Sequence, residues 1–243
     1  MKSLALSTRT AKEILRDPIN LFFGLGFPLI LILLLSTIQK NIPVSLFEIE
    51  NLTPGITVFG LSFMSLFAAV IVSKDRESAL LSRLYTTPLN SFDFIIGYIL
   101  PLIPISILQS IICYIVAIPF GLKPSVGVIM ALVGNILVSL FFISFGVLCG
   151  SSLSSKQVGG ICGALLTNLS AWLSGVWFDI SLVGGVFKAV ANALPFIHAV
   201  EMERALFSGN YEGIGIHILV VGIYTLAVTL LAILMFLRQM KNK

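Results

Sequence analysis

Charged residues are scarce in this chain: Asp, Glu, Lys and Arg together make up 11% of its 243 residues. A soluble domain carries about a quarter charged residues. Here 57% of the residues are hydrophobic and the mean hydropathy is +1.05. The shortage of charge therefore excludes a soluble globular protein and indicates an integral membrane protein.

Cysteine and the usual catalytic motifs are also missing or few. The three cysteines form no C-x-x-C pair and lie in apolar runs, which favours buried free thiols. There is no G-x-x-x-x-G-K-[ST] phosphate loop, no H-E-x-x-H and no G-x-S-x-G. His198, Glu201 and Glu203 in HAVEME are a weak metal pattern, and a solvated helix face is the favoured interpretation. We expect no enzyme chemistry and no cofactor on this chain.

Long uncharged runs are what the sequence does have. A helix needs about 20 mostly apolar residues to cross a bilayer. Six runs meet this length and predict an all-α, single-domain membrane protein with six spans, at about 19–38, 53–73, 94–119, 126–150, 158–178 and 214–237.

The basic residues predict the orientation, because Lys and Arg are retained in cytoplasmic loops. With the N-terminus inside, 11 of the 15 basic residues are cytoplasmic, and only Lys40, Lys123, Lys188 and Arg204 lie outside. We therefore expect both termini in the cytoplasm of a cell-membrane protein. This distribution along span ends also argues against nucleic acid as a partner.

Within the spans the polar residues are amides and hydroxyls, such as Gln109, Asn135 and Asn168. Ion-coupled carriers place ionisable groups in the membrane, and none is expected here. Two glycine pairs at four-residue spacing, Gly146 with Gly150 and Gly159 with Gly163, allow close helix approach. We expect them to serve packing within the chain, around the turn between spans four and five, rather than an oligomer contact.

Three segments outside the spans carry further information. Residues 3–17 predict an interfacial helix that Pro18 ends. Residues 180–208 lack the charge of a loop, but a seventh span there would place the C-terminal basic residues outside. Gly184, Gly185 and Pro195 also divide the segment, so we expect two short helices at or within the outer membrane surface, the second at about 196–207.

The third segment is the charged stretch SKDRESALLSRLYTTPLN after the second span. On a helix at about 74–86, Leu80, Leu81 and Leu84 form an apolar ridge, with Glu77 at its edge and Arg83 on another face. Such an amphipathic helix is suited to docking in a groove or on a membrane surface.

KDRESALLSRLYTTPLN resembles the loop after span two in the permease subunits of ABC type-2 exporters. The R-D-P before span one and LPFIHAVEMERALFSGN before the last span are also similar to that family. The resemblance covers the whole chain. It implies a second permease copy or a related permease, two separate ATP-binding subunits that hold ATP and Mg²⁺, and contact with membrane lipid.

Residue roles follow from the same resemblance. It implies that Glu77, Leu80, Leu81, Arg83 and Leu84 contact the ATPase as a coupling helix. The elbow helix would be anchored by Arg9, Arg16, Asp17 and Pro18. A substrate route along spans two and five would be lined by Phe59, Phe63, Phe67, Asn168 and Trp172.

The expected function is therefore ATP-driven export of a hydrophobic or amphipathic cargo such as a drug, peptide or lipid-like compound. The aromatic residues of the expected route are equally compatible with ordinary packing or lipid-facing surface. An ion-coupled or facilitative carrier that acts alone is the alternative, as is a membrane assembly subunit without transport. The sequence identifies neither the cargo nor the partner permease.

Overall fold

The computed structural model of the chain describes residues 2–41, 45–78, 80–81 and 90–241. These residues are mainly helical and contain no β-strand. Their helices are, in chain order, α1 (Lys2–Leu15), α2 (Pro18–Asn41), α3 (Ile49–Glu77), α4 (Phe92–Phe120), α5 (Val126–Ser152), α6 (155–173), α7 (Ile180–Val183), α8 (Gly185–Ala193), α9 (Pro195–Ser208) and α10 (Ile214–Lys241). The predicted all-α class is confirmed.

Five of these helices, α2, α3, α4, α5 and α10, are long and apolar enough to cross a membrane. The predicted span at 158–178 is not among the five, so the count of six is not confirmed. That stretch is divided into Ser155–Val158, a π-helical Gly159–Leu166 and Thr167–Leu173. It ends early because the chain turns at Gly175, whose φ of 71° is a conformation that glycine adopts readily.

Helix α3 lies at the centre of the bundle, where its most apolar window is 89% buried. Helix α5 packs closely along it through two glycines. A Cβ at Gly146 would lie 2.1 Å from the carbonyl oxygen of Ser65, and one at Gly150 would lie 2.6 Å from that of Ala69. Packing within the chain is confirmed for these two glycines, but the element they contact is α3 and not the turn between α5 and α6. A Cβ at Gly159, in the second predicted pair, would meet nothing within 4 Å.

Helix α2 contains a π-helical turn, Phe22–Gly26, close to Pro28. Proline has no N–H, so the carbonyl four residues before it loses its usual helical partner. The carbonyl that Pro28 leaves without its usual donor is that of Gly24, inside the π-helical turn. At the end of the turn the backbone N–H of Phe27 bonds to the carbonyl of Phe22, five residues back.

Helix α1 packs on the first half of α4 and buries Leu6, Thr10 and Ile14. The predicted helix at 3–17 is thus present, and ends at Leu15. Asp17 then caps the first turn of α2, accepting hydrogen bonds from the backbone N–H of Asn20 at 3.1 Å and from its side chain at 2.7 Å.

The segment at 180–208 forms three helices, α7, α8 and α9, where two were expected. Gly184 and Gly185 have positive φ and separate α7 from α8, as the sequence indicates. Asp179 caps α7 by accepting from the backbone N–H of Ser181 at 2.8 Å. Hydrogen bonds from the Ser181 side chain and from its backbone N–H lower the pKa of Asp179.

The predicted coupling helix at 74–86 is not a separate helix over its first residues. Lys74 to Glu77 continue α3 without a break, because no Gly or Pro interrupts the helix there. Leu80 and Leu81 are helical after a turn at Ser78. Arg83 and Leu84 lie outside the described residues.

Candidate functional site: an aromatic cavity and two polar clamps

A cavity of about 520 Å³ lies between α2, α3 and α6. Its walls are mainly aromatic and contain no charged residue: Phe23, Phe27, Phe59, Phe63, Gly163, Thr167, Asn168, Ala171, Trp172 and Trp177. This volume falls in the range of sites for drug-sized molecules, about 300–1,000 Å³. We call it the aromatic cavity.

Four of the five residues predicted for a substrate route line this cavity: Phe59, Phe63, Asn168 and Trp172. Phe67 does not line it. That ring is 1% exposed, and its edge lies 2.5 Å from where a Cβ on Gly24 would stand. Phe67 therefore packs in the interior between α2 and α3.

Three further aromatic residues line the cavity that were not predicted from the sequence: Phe23, Phe27 and Trp177. The ring of Phe63 stacks on that of Phe23 at 6.1 Å and meets that of Phe27 edge-on at 5.8 Å. Trp177 meets Phe59 edge-on at 6.0 Å. Phe23 and Phe27 are four residues apart, as are Phe59 and Phe63. The same helix periodicity could therefore have predicted that Phe23 and Phe27 share one face of α2.

Both π-helical segments border the aromatic cavity. Phe23 belongs to the segment in α2, and Gly163 belongs to the segment in α6. The hydroxyl of Thr167 donates to the carbonyl of Gly163. Such segments are frequent at functional sites, because they expose backbone groups and rotate the following side chains.

One end of α3 carries four consecutive charged residues, Lys74 to Glu77, and we call the last three of them, Asp75, Arg76 and Glu77, the 75–77 clamp. The carboxylate of Asp75 is 2% exposed and accepts two hydrogen bonds from the Arg9 guanidinium, at 2.5 and 2.7 Å. It also accepts from the hydroxyl of Tyr98 at 2.8 Å. Asp75 thus joins α1 and α4 to the end of α3.

The next two residues hold the turn between α5 and α6. The guanidinium of Arg76 donates to the carbonyl of Ser151 at 3.1 Å and to that of Leu153. Glu77 accepts from the backbone N–H of Ser155 at 2.8 Å and from its hydroxyl at 2.7 Å. A carboxylate at the first residues of a helix is favourable, because the backbone N–H groups there have no helical partner.

The other residues predicted for the coupling helix and the elbow helix differ in how far they are buried. Leu81 is 1% exposed and belongs to the chain's own core, while Leu80 is partly exposed. Of the elbow residues, Pro18 begins α2 directly after its cap and Arg16 is exposed. Arg9 bonds to Asp75 of α3, and Asp17 bonds to Asn20 in the first turn of α2.

Arg204 in α9 forms the second clamp, at the opposite end of α3 and α6. It donates to the carbonyl of Asn51 at 3.3 Å and to that of Gly175 at 3.3 Å. A salt bridge of 2.9 Å to Glu201 completes its contacts. The start of α3 and the chain leaving α6 are therefore held together by one guanidinium, and the aromatic cavity lies between the two clamps.

The weak metal pattern in HAVEME does not form a metal centre: the described residues contain no group of three potential ligands. His198 instead contacts His217 of α10, with 2.9 Å between their Nδ1 atoms, and its Nε2 bonds to the carbonyl of Asn192 at 2.9 Å. Glu203 is fully buried rather than solvated. The interpretation of HAVEME as a solvated helix face is therefore wrong for Glu203, which lies in α9 and outside the predicted spans.

No curated protein matches the chain. A family match, however, agrees with its apolar helices and with the absence of a phosphate loop from its sequence. The sequence model of the ABC-2 type transporter matches residues 2–208, which is most of the chain. This multi-pass membrane protein therefore belongs to the ABC-2 type transporter family, whose members are transmembrane permeases.

Proposed function

We propose that this chain is the permease subunit of an ATP-driven exporter, and that a hydrophobic or amphipathic cargo passes through the aromatic cavity. The observation that carries the proposal is the cavity itself. Its walls are rings and small side chains without formal charge, which suits an apolar or aromatic cargo. The cargo can be a drug, a peptide or a lipid-like compound.

The proposal includes α6 as a sixth crossing. At 1.5 Å per residue, 155–173 reaches about 28 Å, close to the hydrocarbon thickness of about 30 Å. Six crossings place both termini on one side, and the basic residues assign that side to the cytoplasm. The 75–77 clamp is then cytoplasmic, and α7 to α9 lie at the outer surface.

The ATPase is proposed as a separate protein, present in two copies and carrying ATP and Mg²⁺. Family members normally work with such a partner. Glu77 provides a route for its force, since it belongs to the predicted coupling helix at 74–86 and its carboxylate holds the first residue of α6. Movement of that helix would shift α6, and with it the wall formed by Asn168 and Trp172.

A second permease copy is proposed to close the cavity. Trp172 is 57% exposed and Phe23 is 40% exposed in the single chain, although both line the cavity. A neighbouring copy would cover these rings and complete the route between two permeases. A carrier that acts alone would leave this aromatic wall open to lipid.

The two tryptophans of the chain provide a direct test of cargo binding, because Trp172 and Trp177 both line the cavity. We expect tetraphenylphosphonium, a cation whose surface consists of four phenyl rings, to change the tryptophan emission of the purified chain in a saturable manner. Phe63→Ala should raise the apparent Kd of that titration several-fold. Phe92→Ala removes a ring that is 63% exposed and does not line the cavity, and should leave the binding curve unchanged.

The partner is tested separately by purification in mild detergent and by reconstitution. We expect an ATPase with a phosphate loop to accompany the chain, and cargo movement in liposomes to require that ATPase and ATP. Gradient-driven uptake by this polypeptide alone would overturn the proposal in favour of a carrier. Binding without any movement in either arrangement would favour an assembly subunit.

A further inference from the structure

The carboxyl of Glu203 lies inside the helix bundle. Its side chain is 0% exposed, and neither carboxyl oxygen has a hydrogen-bond partner in the described part of the chain. Oε1 lies 2.8 Å from the point where a Cβ on Gly134 would stand. Gly134 is about 12 Å along α5 from its first residue, at 1.5 Å per residue. The absent side chain of Gly134 thus provides the space for the carboxyl.

Two further polar side chains, on helices of the same bundle, are buried without hydrogen-bond partners in the described part of the chain. The Tyr114 hydroxyl of α4 is one of them, and both atoms of the Asn135 amide of α5 are the others. Tyr114 stacks on Phe207, one turn after Glu203, at 5.9 Å, and is close enough to interact electrostatically with Glu203. Asn135 follows Gly134 directly and lies one turn after Ala131, which packs in one cluster with Tyr114 and Phe207.

In the described part of the chain, no Lys, Arg or His donates a hydrogen bond to Glu203, Tyr114 or Asn135. Residues 94–119 and 126–152, which supply the α4 and α5 walls, contain no charged residue. Arg204 is engaged by Glu201 and two carbonyls, and His198 is engaged by His217 of α10. An ionised carboxylate buried without a partner costs far more than a neutral one, so such a group takes up a proton instead.

We propose that Glu203, together with Tyr114 and Asn135, forms a proton-binding site in the bundle. The carboxyl is neutral while α9 is packed against α5, and the hydroxyl and amide are the polar groups available to it. When α9 moves away from α5, the carboxyl reaches water and releases its proton to it. The site does not depend on the identity of the cargo or on the ATPase, and stands or falls separately from the proposed function.

The consequence for stability has a definite sign. The packed state holds the proton more tightly than a state in which Glu203 meets water, so packing weakens as the pH rises. We expect the melting temperature of the purified full chain to fall towards alkaline pH. Glu203→Gln, which resembles the neutral carboxyl in size and hydrogen bonding, should remove most of that dependence. Glu201→Gln on the same helix should retain it.

Infrared difference spectroscopy at neutral pH shows whether the Glu203 carboxyl is protonated. Subtraction of the Glu203→Gln spectrum from that of the natural sequence should show loss of a protonated carboxyl C=O band. Glu201→Gln should show loss of a carboxylate band, because Glu201 pairs with Arg204. Loss of a carboxylate band in Glu203→Gln would overturn the proposal. If that variant fails to fold, Glu203→Asp serves instead: a shifted protonated band supports the site, and an unchanged one overturns it.

Discussion

Arg9 and Asp75 join the N-terminal helix to the end of the second span through two parallel hydrogen bonds of 2.5 and 2.7 Å. Asp75 is 2% exposed, whereas the Arg9 side chain is 40% exposed, so the bond connects the bundle interior to its surface. The same α3 terminus holds the turn between α5 and α6 through Arg76 and Glu77. Three consecutive residues thus connect α3 to three other parts of the bundle.

Asp75→Asn should loosen α1 from the bundle, because it removes the charge that faces Arg9 while keeping the side-chain size. Breaking a buried ion pair costs about 3–5 kcal/mol, and partial exposure of Arg9 reduces this to roughly 2 kcal/mol. Hydrogen exchange of the α1 amides should accelerate accordingly. Glu13→Gln removes the more exposed partner of Arg9, 2.8 Å away, and should change exchange far less. Equal exchange in both variants would contradict the assigned role of Asp75.

Glu77 and Ser155 should act as a unit in the transport cycle. Ser155→Ala removes the hydroxyl donor at 2.7 Å, and Glu77→Gln weakens both bonds to Ser155. In a double-mutant cycle the effects of the two changes should be non-additive. Cargo-stimulated ATPase activity of the reconstituted complex provides the measurement. If Glu77 served only to dock the ATPase, Ser155→Ala would leave that activity unchanged.

Phe63→Ala and Phe67→Ala should separate binding from stability. Phe63 lines the aromatic cavity, so its loss should weaken cargo binding by about 1 kcal/mol, in the range of an aromatic contact. Phe67 is 1% exposed and away from the cavity, so its loss should lower the unfolding free energy by about 3–5 kcal/mol. Tryptophan titration and thermal unfolding measure the two effects. Equal loss of binding in both variants would contradict the assigned walls.

Gly146→Ala should separate α5 from α3, since the added Cβ would meet the Ser65 carbonyl oxygen at 2.1 Å and backbone cannot move aside as a flexible side chain does. A loss of about 2 kcal/mol or more is expected from such overpacking. Gly222→Ala in α10 is the matched control, because nothing lies within 4 Å of its added Cβ. A similar melting temperature for both variants would refute the close α3–α5 contact.

The contact between His198 and His217 should hold α9 against α10. The Asn192 carbonyl can only accept, so Nε2 of His198 donates to it and Nδ1 of His198 accepts from His217. His217→Phe removes that donor and should speed the hydrogen exchange of the α9 amides at neutral pH. Unchanged exchange in this variant would contradict the assigned contact.

Much of the candidate site could be predicted because the family resemblance indicated spans two and five, and helix periodicity places residues four apart on one face. Phe59, Phe63, Asn168 and Trp172 were predicted for one route and line one cavity. The same reasoning misplaced Phe67, since periodicity gives a face but not the point at which a neighbouring helix covers it. Gly24 of α2 lies against Phe67, and nothing local to Phe67 indicates that contact.

By itself, the sequence determined the membrane class, most of the spans, the close packing at Gly146 and Gly150, and the division of residues 180–208. Each depends on composition or on neighbours within a few turns. Only the tertiary structure decided what surrounds Asp75, Glu77 and Glu203, because their neighbours come from helices distant in the chain. A charged residue near a span end has the same sequence pattern whether it meets water, a guanidinium or a helix N-terminus. Folding selects among these environments, and with them the role of each carboxyl group.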